Sequence, residues 1–193
     1  MFAVRIHGRG GQGVVTAAEL LSQAAFQEGR HAQAFPSFGS ERTGAPVVSF
    51  CRVSDREIRT REPILEPDAL VVQDPTLLHQ VDVFGGLSKD GYVLINTVFD
   101  FEELGLQEWS AGFRRERLLT VPASDISRDY EPYARANTAL LGGLASLTGV
   151  VSIGSIERAI AERFGGAVGV GNVEAARACH DFVSAELLEL AHA

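Results

Sequence analysis

The sequence predicts a single α/β domain over residues 1–193, with a mostly parallel, doubly wound (Rossmann-like) sheet, a β-hairpin insertion and a helical carboxy-terminal third. Three observations lead there. A β-prone run, FAVRIH at 2–7, meets a glycine cluster and then a stretch with helical spacing at 14–28. Two nearly uninterrupted apolar runs, ALVVQD at 69–74 and YVLINT at 92–97, have the composition of strands covered on both faces. From residue 133 onward the spacing becomes helical. A chain of 193 residues suits one core, and 46% hydrophobic with 22% charged residues leaves enough apolar surface to offset the entropy of folding.

In chain order, Gly29 falls where a left-handed glycine ends the first helix, and HAQAF at 31–35 reads as a strand before Pro36, completing a βαβ unit. PSFGSERTGAP at 36–46 is a loop, and VVSFCRVS at 47–54 is strand-like. Ser54-Asp55-Arg56 reads as a turn that sends the chain back along EIRTR at 57–61 as an antiparallel hairpin. TLLHQVDVF at 76–84 is helix-like, and RLLTVPA at 117–123 reads as a last parallel strand. Helices are expected over 133–148, 152–164 and 172–191, the last carrying Val173, Ala176, Cys179, Val183, Leu187 and Leu190 on one face for core or subunit contact. The uncharged stretch Ala136 to Ile156 has the length of a membrane span, but Gly142, Gly143, Gly149 and Gly154 with interspersed Ser and Thr dilute it. It reads as two helices broken near Gly149.

Seventeen basic against 25 acidic residues give a net charge of −8, which argues against nucleic acid and anionic membranes as partners. Lys89 is the sole lysine; arginine forks suit carboxylate and phosphate, although the base composition of the genome explains the bias as simply. Cys51 and Cys179 form no C-x-x-C pair or iron–sulfur run and read as small buried hydrophobes of a reducing compartment. MFAVRIHGRGG lacks the apolar region of a signal peptide, so a cytoplasmic protein is expected. Histidines 7, 31, 79, 180 and 192 lack metal-ligand spacing, and there is no P-loop lysine, G-x-S-x-G or H-E-x-x-H. The chain is therefore expected to carry no catalytic residue and no metal of its own.

Two segments could hold a ligand. Gly8, Gly10 and Gly13 reproduce G-x-G-x-x-G between a strand and a helix, where close backbone approach and helix-end N–H groups favour an anion; Arg9, Gly11 and Gln12 share the turn. The acidic residue that would end the second strand of an NAD site is absent, its place taken by Phe35-Pro36, which disfavours a dehydrogenase. An anion site and a purely structural turn both stay open. The loop that follows brings Ser37, Phe38, Gly39, Ser40, Glu41, Arg42 and Thr43 to the carboxyl edge of the sheet, where doubly wound folds bind ligands, or else forms a solvated connection.

HGRGGQGVVTAAELL at 7–21, QAFPSFGSERTGAPV at 33–47, EPDALVVQDPTLL at 66–78 and ANTALLGGL at 136–144 together resemble the gamma chain of the 2-oxoacid:acceptor oxidoreductases, the pyruvate:ferredoxin oxidoreductase gamma subunit among them. The resemblance implies a multisubunit enzyme that decarboxylates a 2-oxoacid oxidatively, forms an acyl-coenzyme A and passes electrons to ferredoxin or a similar acceptor. It implies thiamine diphosphate, magnesium and 4Fe-4S clusters on alpha, beta and delta-type partner subunits, with this chain inactive alone. The gamma chain's own share is support of the catalytic subunits and part of the coenzyme A environment, drawn from Gly8–Gly13, from Ser37–Thr43 and from Asn137, which matches the asparagine opening the family's helix and which also suits a capping role. Ser40 stands where many relatives have a proline before the glutamate, and a basic residue usual near Thr43 is missing, which leaves the loop's conformation open. The alternatives are an indolepyruvate or phenylglyoxylate oxidoreductase chain, or a free-standing nucleotide-binding protein.

Overall fold

A computed structural model describes residues 1–37 and 43–192 of the chain. Six strands form its sheet: β1 (Phe2–Arg9), β2 (His31–Pro36), β3 (Pro46–Ser54), β4 (Ala69–Val72), β5 (Tyr92–Asn96) and β6 (Leu118–Val121). The helices are α1 (Val14–Gln27), α2 (Gln107–Ser110), α3 (Ala123–Arg128), α4 (Ala136–Thr148), α5 (Ile153–Arg163) and α6 (Gly166–His192). The strand order is β2-β3-β1-β4-β5-β6. β1, β4, β5 and β6 pair in parallel, while β3 runs antiparallel to both β1 and β2, so five of the six strands point the same way.

The expected α/β class, mostly parallel sheet and helical carboxy-terminal part are all present, but the hairpin lies elsewhere than predicted. Residues 57–61 form no strand; the hairpin is β2–β3, and β3 separates β2 from β1. Both edges of β3 are therefore paired along its length, and EIRTR, with Ile58 as its one large apolar residue, has neither a free edge to join nor an apolar face to bury. The stretch at 76–84 is not an α-helix either. Asp74 caps a 3-10 turn over Pro75–His79, accepting from Thr76 N–H, and Val81, Val83, Gly85 and Gly86 do not extend it.

Alternation along the strands divides the core. Ala69, Val71, Leu94, Leu119 and Val121 face α1, α4, α5 and α6, whereas Leu70, Val72, Val93, Ile95 and Leu118 face loops and short turns carrying Phe84, Phe101, Trp109 and Phe113. Phe84 and Trp109 stack with ring centroids 4.0 Å apart. On that loop side the buried Arg5 guanidinium donates to the carbonyls of Ile64, Leu65, Val83 and Gly85, tying two irregular segments to β1. On the helical side α4 packs directly on α6, because a Cβ at Gly142 would collide with the Ala176 carbonyl oxygen. Gly149, at φ +63°, ends α4 as its position predicts. α6 starts at Gly166, six residues before the predicted start at residue 172; Gly171 then lets it approach Tyr133, whose Cβ would stand 3.0 Å from a Cβ there. Among the described residues no helix is long and apolar enough to cross a membrane.

Candidate functional site

The carboxyl ends of β1, β4 and β5 and the amino ends of α1 and α4 meet at one edge of the sheet. β1 runs into the glycine turn, in which Gly11 and Gly13 adopt φ of +93° and +72°, conformations that side chains resist. A Cβ at Gly13 would also collide with the Asn137 carboxamide. α1 begins with Gly13 at its N-cap and no side-chain cap, so the N–H groups of its first turn face outward unpaired by the helix itself.

The two predicted segments are neighbours. Gly10 N–H donates to Ala45 O at 2.9 Å, Gly44 N–H donates to Gly10 O at 3.0 Å, and Thr43 bridges to Gly10. Ser37 N–H donates to Val48 O at 2.8 Å at the loop's start. The candidates Phe38, Gly39, Ser40, Glu41 and Arg42 lie outside the described residues. Beside the turn, at the start of α1 and against β3, is a hollow of about 290 Å³ lined by Arg9, Gly10, Val14, Thr16 and Val47.

Arg9 and Gln12 are turned toward the protein. Arg9 Nε donates to Asp74 Oδ2 at 2.9 Å, and its other nitrogens reach Gly44 O, Thr76 Oγ1 and Gln80 Oε1. Gln12 bonds both ways, donating to Asp74 and accepting from Arg9 N–H. Burial alone would raise the Asp74 carboxyl, but hydrogen bonds from Thr76 and Gln12 and the charge of Arg9 hold it below the usual carboxylate range. This network fixes the turn rather than offering its charge to solvent.

Asn137 does not cap α4. Its Nδ2 donates to Gly13 O at 3.1 Å and clamps the glycine turn to that helix. Asn172 of α6, only 2% exposed, performs the capping: its Oδ1 accepts from Arg135 N–H at 3.0 Å, while its Nδ2 donates to Tyr133 O and Val168 O. Asn96 Nδ2 donates to Gln73 O and Ser124 Oγ, and Ser124 N–H returns a bond to Asn96 Oδ1.

These contacts shape a cleft of about 590 Å³ on the α4 side of the glycine turn, with Gln73, Asn96, Tyr133, Arg135, Asn137 and Phe164 among its walls. Arg135 is the one charged group among its described lining residues. Gln73 is 5% exposed and its carboxamide has no hydrogen-bond partner. Sequence reasoning missed Gln73, Asn96, Arg135 and Asn172. A signal existed for two of them, since Gln73 directly follows β4 and Asn96 ends β5, where open α/β sheets place ligand contacts.

No nucleophile emerges from the cysteines: burial pushes the thiols of Cys51 and Cys179 up to about 12. His7 is driven down to about 4, by burial first and then by the charge of Arg5, whose Nε donates to His7 Nε2. It is neutral over the physiological range.

A model of the family described as pyruvate ferredoxin/flavodoxin oxidoreductase matches residues 3–182. The chain belongs to this family. Pyruvate synthase subunit PorC of Methanocaldococcus jannaschii is 46% identical over 181 residues, covering 94% of this chain and 96% of that one. The pyruvate/ketoisovalerate oxidoreductases common subunit gamma of Pyrococcus furiosus is 46% identical over 190 residues, 98% of this chain and 100% of its own. The crystal structure of pyruvate oxidoreductase subunit PORC from Thermotoga maritima superposes with a TM-score of 0.76 at 35% identity, covering 93% and 95% of the two chains. The family's fold also recurs as 31% of a longer chain, the 2-oxoglutarate:ferredoxin oxidoreductase of Magnetococcus marinus with 2-oxoglutarate, coenzyme A and succinyl-CoA bound, at a TM-score of 0.69 and 16% identity. The relatives of this pyruvate ferredoxin/flavodoxin oxidoreductase family member are thus subunits of oxidoreductase complexes, as the four sequence blocks implied.

Proposed function

We propose that this chain is the gamma subunit of a multisubunit 2-oxoacid:ferredoxin oxidoreductase, which converts pyruvate or a related 2-oxoacid to acyl-coenzyme A and CO2 and passes electrons to ferredoxin or a similar acceptor. The observation that carries the reading is co-extension: the chain aligns over 98% of its own length with all of a gamma subunit at 46% identity. Such a unit acts as one domain over residues 1–193 and works in the cytoplasm beside alpha, beta and delta-type subunits, on which thiamine diphosphate, magnesium and the 4Fe-4S clusters reside. The Pyrococcus furiosus relative is by name common to pyruvate and ketoisovalerate oxidoreductases, which supports placing the choice of 2-oxoacid on partner chains.

The chain's own contribution to the reaction is part of the coenzyme A site, in the hollow beside the glycine turn at the start of α1. When bound there, coenzyme A supplies the thiol that accepts the acyl group. Its diphosphate suits the outward N–H groups at the start of α1, since helix amino ends bind phosphates through those donors and the helix dipole. Gly11 and Gly13 supply the positive φ of the turn and Gly8 its close packing on α1; Arg9 and Gln12 hold the turn in shape through Asp74; Asn137 fixes its far side. In this reading Ser37 to Thr43 contribute further contacts with the cofactor.

The test is a mild affinity purification of the chain from its native cells, with mass spectrometry of the co-purifying proteins and an assay of 2-oxoacid-dependent viologen reduction with and without coenzyme A. Thiamine- and cluster-binding partners with coenzyme A-dependent activity are expected. A solitary chain without such activity overturns the assignment.

A further inference from the structure

The two edges of the sheet are finished differently. At one end β6 has four residues, is largely buried and packs beside α6 and the turn at 115–117. At the other end β2 runs for six residues, and every one of them keeps some exposure. An open edge invites another strand, and proteins blunt it with charges, a bulge or a cover. The sequence of β2, HAQAFP, contains no Asp, Glu, Lys or Arg, and its register with β3 is unbroken from His31 to Pro36.

That register decides which backbone groups are free. Ser37 N–H donates to Val48 O at 2.8 Å, so the pairs that exchange hydrogen bonds with β3 are His31–Ser54, Gln33–Arg52 and Phe35–Phe50. Ala32 and Ala34 therefore aim their N–H and C=O groups away from the sheet, and among the described residues no group outside the strand bonds them. Pro36, with no N–H to offer, lies beyond this pair. Donors and acceptors so spaced are their own complement when the strand is turned through a half circle.

The surroundings favour the same occupant. The chain has a net charge of −8, yet this edge is neutral, since Arg30 beside it is paired with Asp55 at 3.0 Å. Two copies meet here without opposing like charges, whereas a basic partner finds nothing on the strand to attract it. On the helical face Ala32 and Ala34 are small, and Phe26 of the overlying α1 is left 74% exposed. On the other face Gln33 accepts from Arg52 Nη1 at 3.2 Å, and its own amide nitrogen has no partner among the described residues.

We propose that β2 is the docking edge for a second copy of this chain, whose β2 adds antiparallel about a two-fold axis through Gln33. Ala32 N–H then donates to Ala34 O of the second copy, Ala34 N–H donates to Ala32 O of the second copy, and the symmetric bonds return, so each outward group finds a partner. The axis is perpendicular to the sheet. Both α1 helices consequently lie on one face of the doubled sheet, where Phe26 of each is the apolar side chain that covers the junction, and the two Gln33 carboxamides stand opposite each other on the other face. The contact is one that the gamma-subunit assignment does not require, and it stands whichever subunits accompany the chain.

Sedimentation, amide exchange and a disulfide trap on the full chain test it. Wild type is expected to dimerise at about 10–50 micromolar, with the amides of Ala32 and Ala34 gaining protection as the dimer forms. Ala34→Pro removes one outward donor from each copy and none of the bonds to β3, and should weaken the dimer by about tenfold. Gln33→Glu keeps a partner for Arg52 while setting two carboxylates opposite each other, and should weaken the dimer by about fivefold at low salt and less at high salt, with the melting temperature of the monomer as the control for folding. Gln33→Cys places its Cα about 4.5 Å from that of its mate, within disulfide reach, and should cross-link under mild oxidation in the isolated chain and in the assembled complex. Phe35→Cys, off the axis, should not, and Cys51 and Cys179 are buried away from the reaction. A wild-type chain that stays monomeric at about 100 micromolar, with no link between copies of Gln33→Cys in the complex, overturns the proposal. A link from Gln33→Cys to a different subunit overturns it by giving the edge to a partner's strand, and a dimer that neither Ala34→Pro nor Gln33→Glu weakens overturns it by placing the contact on another face. None of these readouts uses 2-oxoacid oxidation, so this inference and the gamma-subunit reading fail separately.

Discussion

Replacing Asn172 by alanine tests whether the cleft's wall is held by one buried amide. In the folded chain that amide bonds Arg135 N–H at 3.0 Å, Tyr133 O at 2.7 Å and Val168 O at 2.8 Å, and lies 2.6 Å from the Thr138 hydroxyl. Thr138 retains its bond to Arg135 O at 2.7 Å after the change, so the groups stranded without that amide are the part-buried Arg135 N–H and Tyr133 carbonyl. Each stranded group costs about 1–3 kcal/mol, and the better helix propensity of alanine returns about 0.5 kcal/mol. The net loss is about 1.5–5.5 kcal/mol, which at about 2–4 °C per kcal/mol for a chain of this length lowers the melting temperature by roughly 3–22 °C. Thermal unfolding followed by circular dichroism reads the loss, and amide exchange across 133–138 reads its location. A melting temperature within about 2 °C of wild type, with unchanged exchange at those residues, would refute the view that this amide fixes the start of α4.

Gly142→Ala forces α4 and α6 apart at the Ala176 carbonyl and should cost about 2–3 kcal/mol, visible in guanidinium unfolding midpoints. His7 has a folded pKa of about 4 beneath an unfolded value of 6.5, so the unfolded chain binds more protons between the two. Its neutral form therefore contributes fully above about pH 6.5, and up to about 3 kcal/mol is lost as the pH falls toward 4; His7→Gln should flatten that part of the stability profile measured against wild type. Cys51 and Cys179, buried with thiols pushed up to about 12, should resist iodoacetamide at pH 8 in the native chain and both react in guanidinium, as peptide mass spectrometry would show.

The strands β1, β4, β5 and β6 were legible because burial on one or both faces leaves a run of apolar residues that local spacing exposes. β2 and β3 were equally legible as strands, but not as partners: nothing local in VVSFCRVS says that both of its edges are taken, so the hairpin was assigned to the segment after it. Gly169 and Gly171 hid the true start of α6, since glycines selected for close packing look like breaks. In the site, the glycine turn was readable from its spacing because the positive φ of Gly13 and the close approach of Val14 to Gly8 both demand glycine. The engagement of Arg9 by Asp74, 65 residues away, was not. Gln73 and Arg135 carry no motif at all; only the fold, by bringing strand ends to helix ends, makes them neighbours.

The buried Arg5 guanidinium has a consequence for how the loop side of the sheet opens. Its acceptors lie on two stretches, at residues 64–65 and 83–85, that have little regular structure and would ordinarily open independently of the core. Peeling either stretch away strands a cation that is 8% exposed and contacts no carboxylate among those acceptors, a state that burial already opposes by lowering the arginine's pKa. The two loops and β1 must then separate together. Amide exchange at 64–65 and 83–85 is therefore expected to follow that of β1 rather than that of free loops.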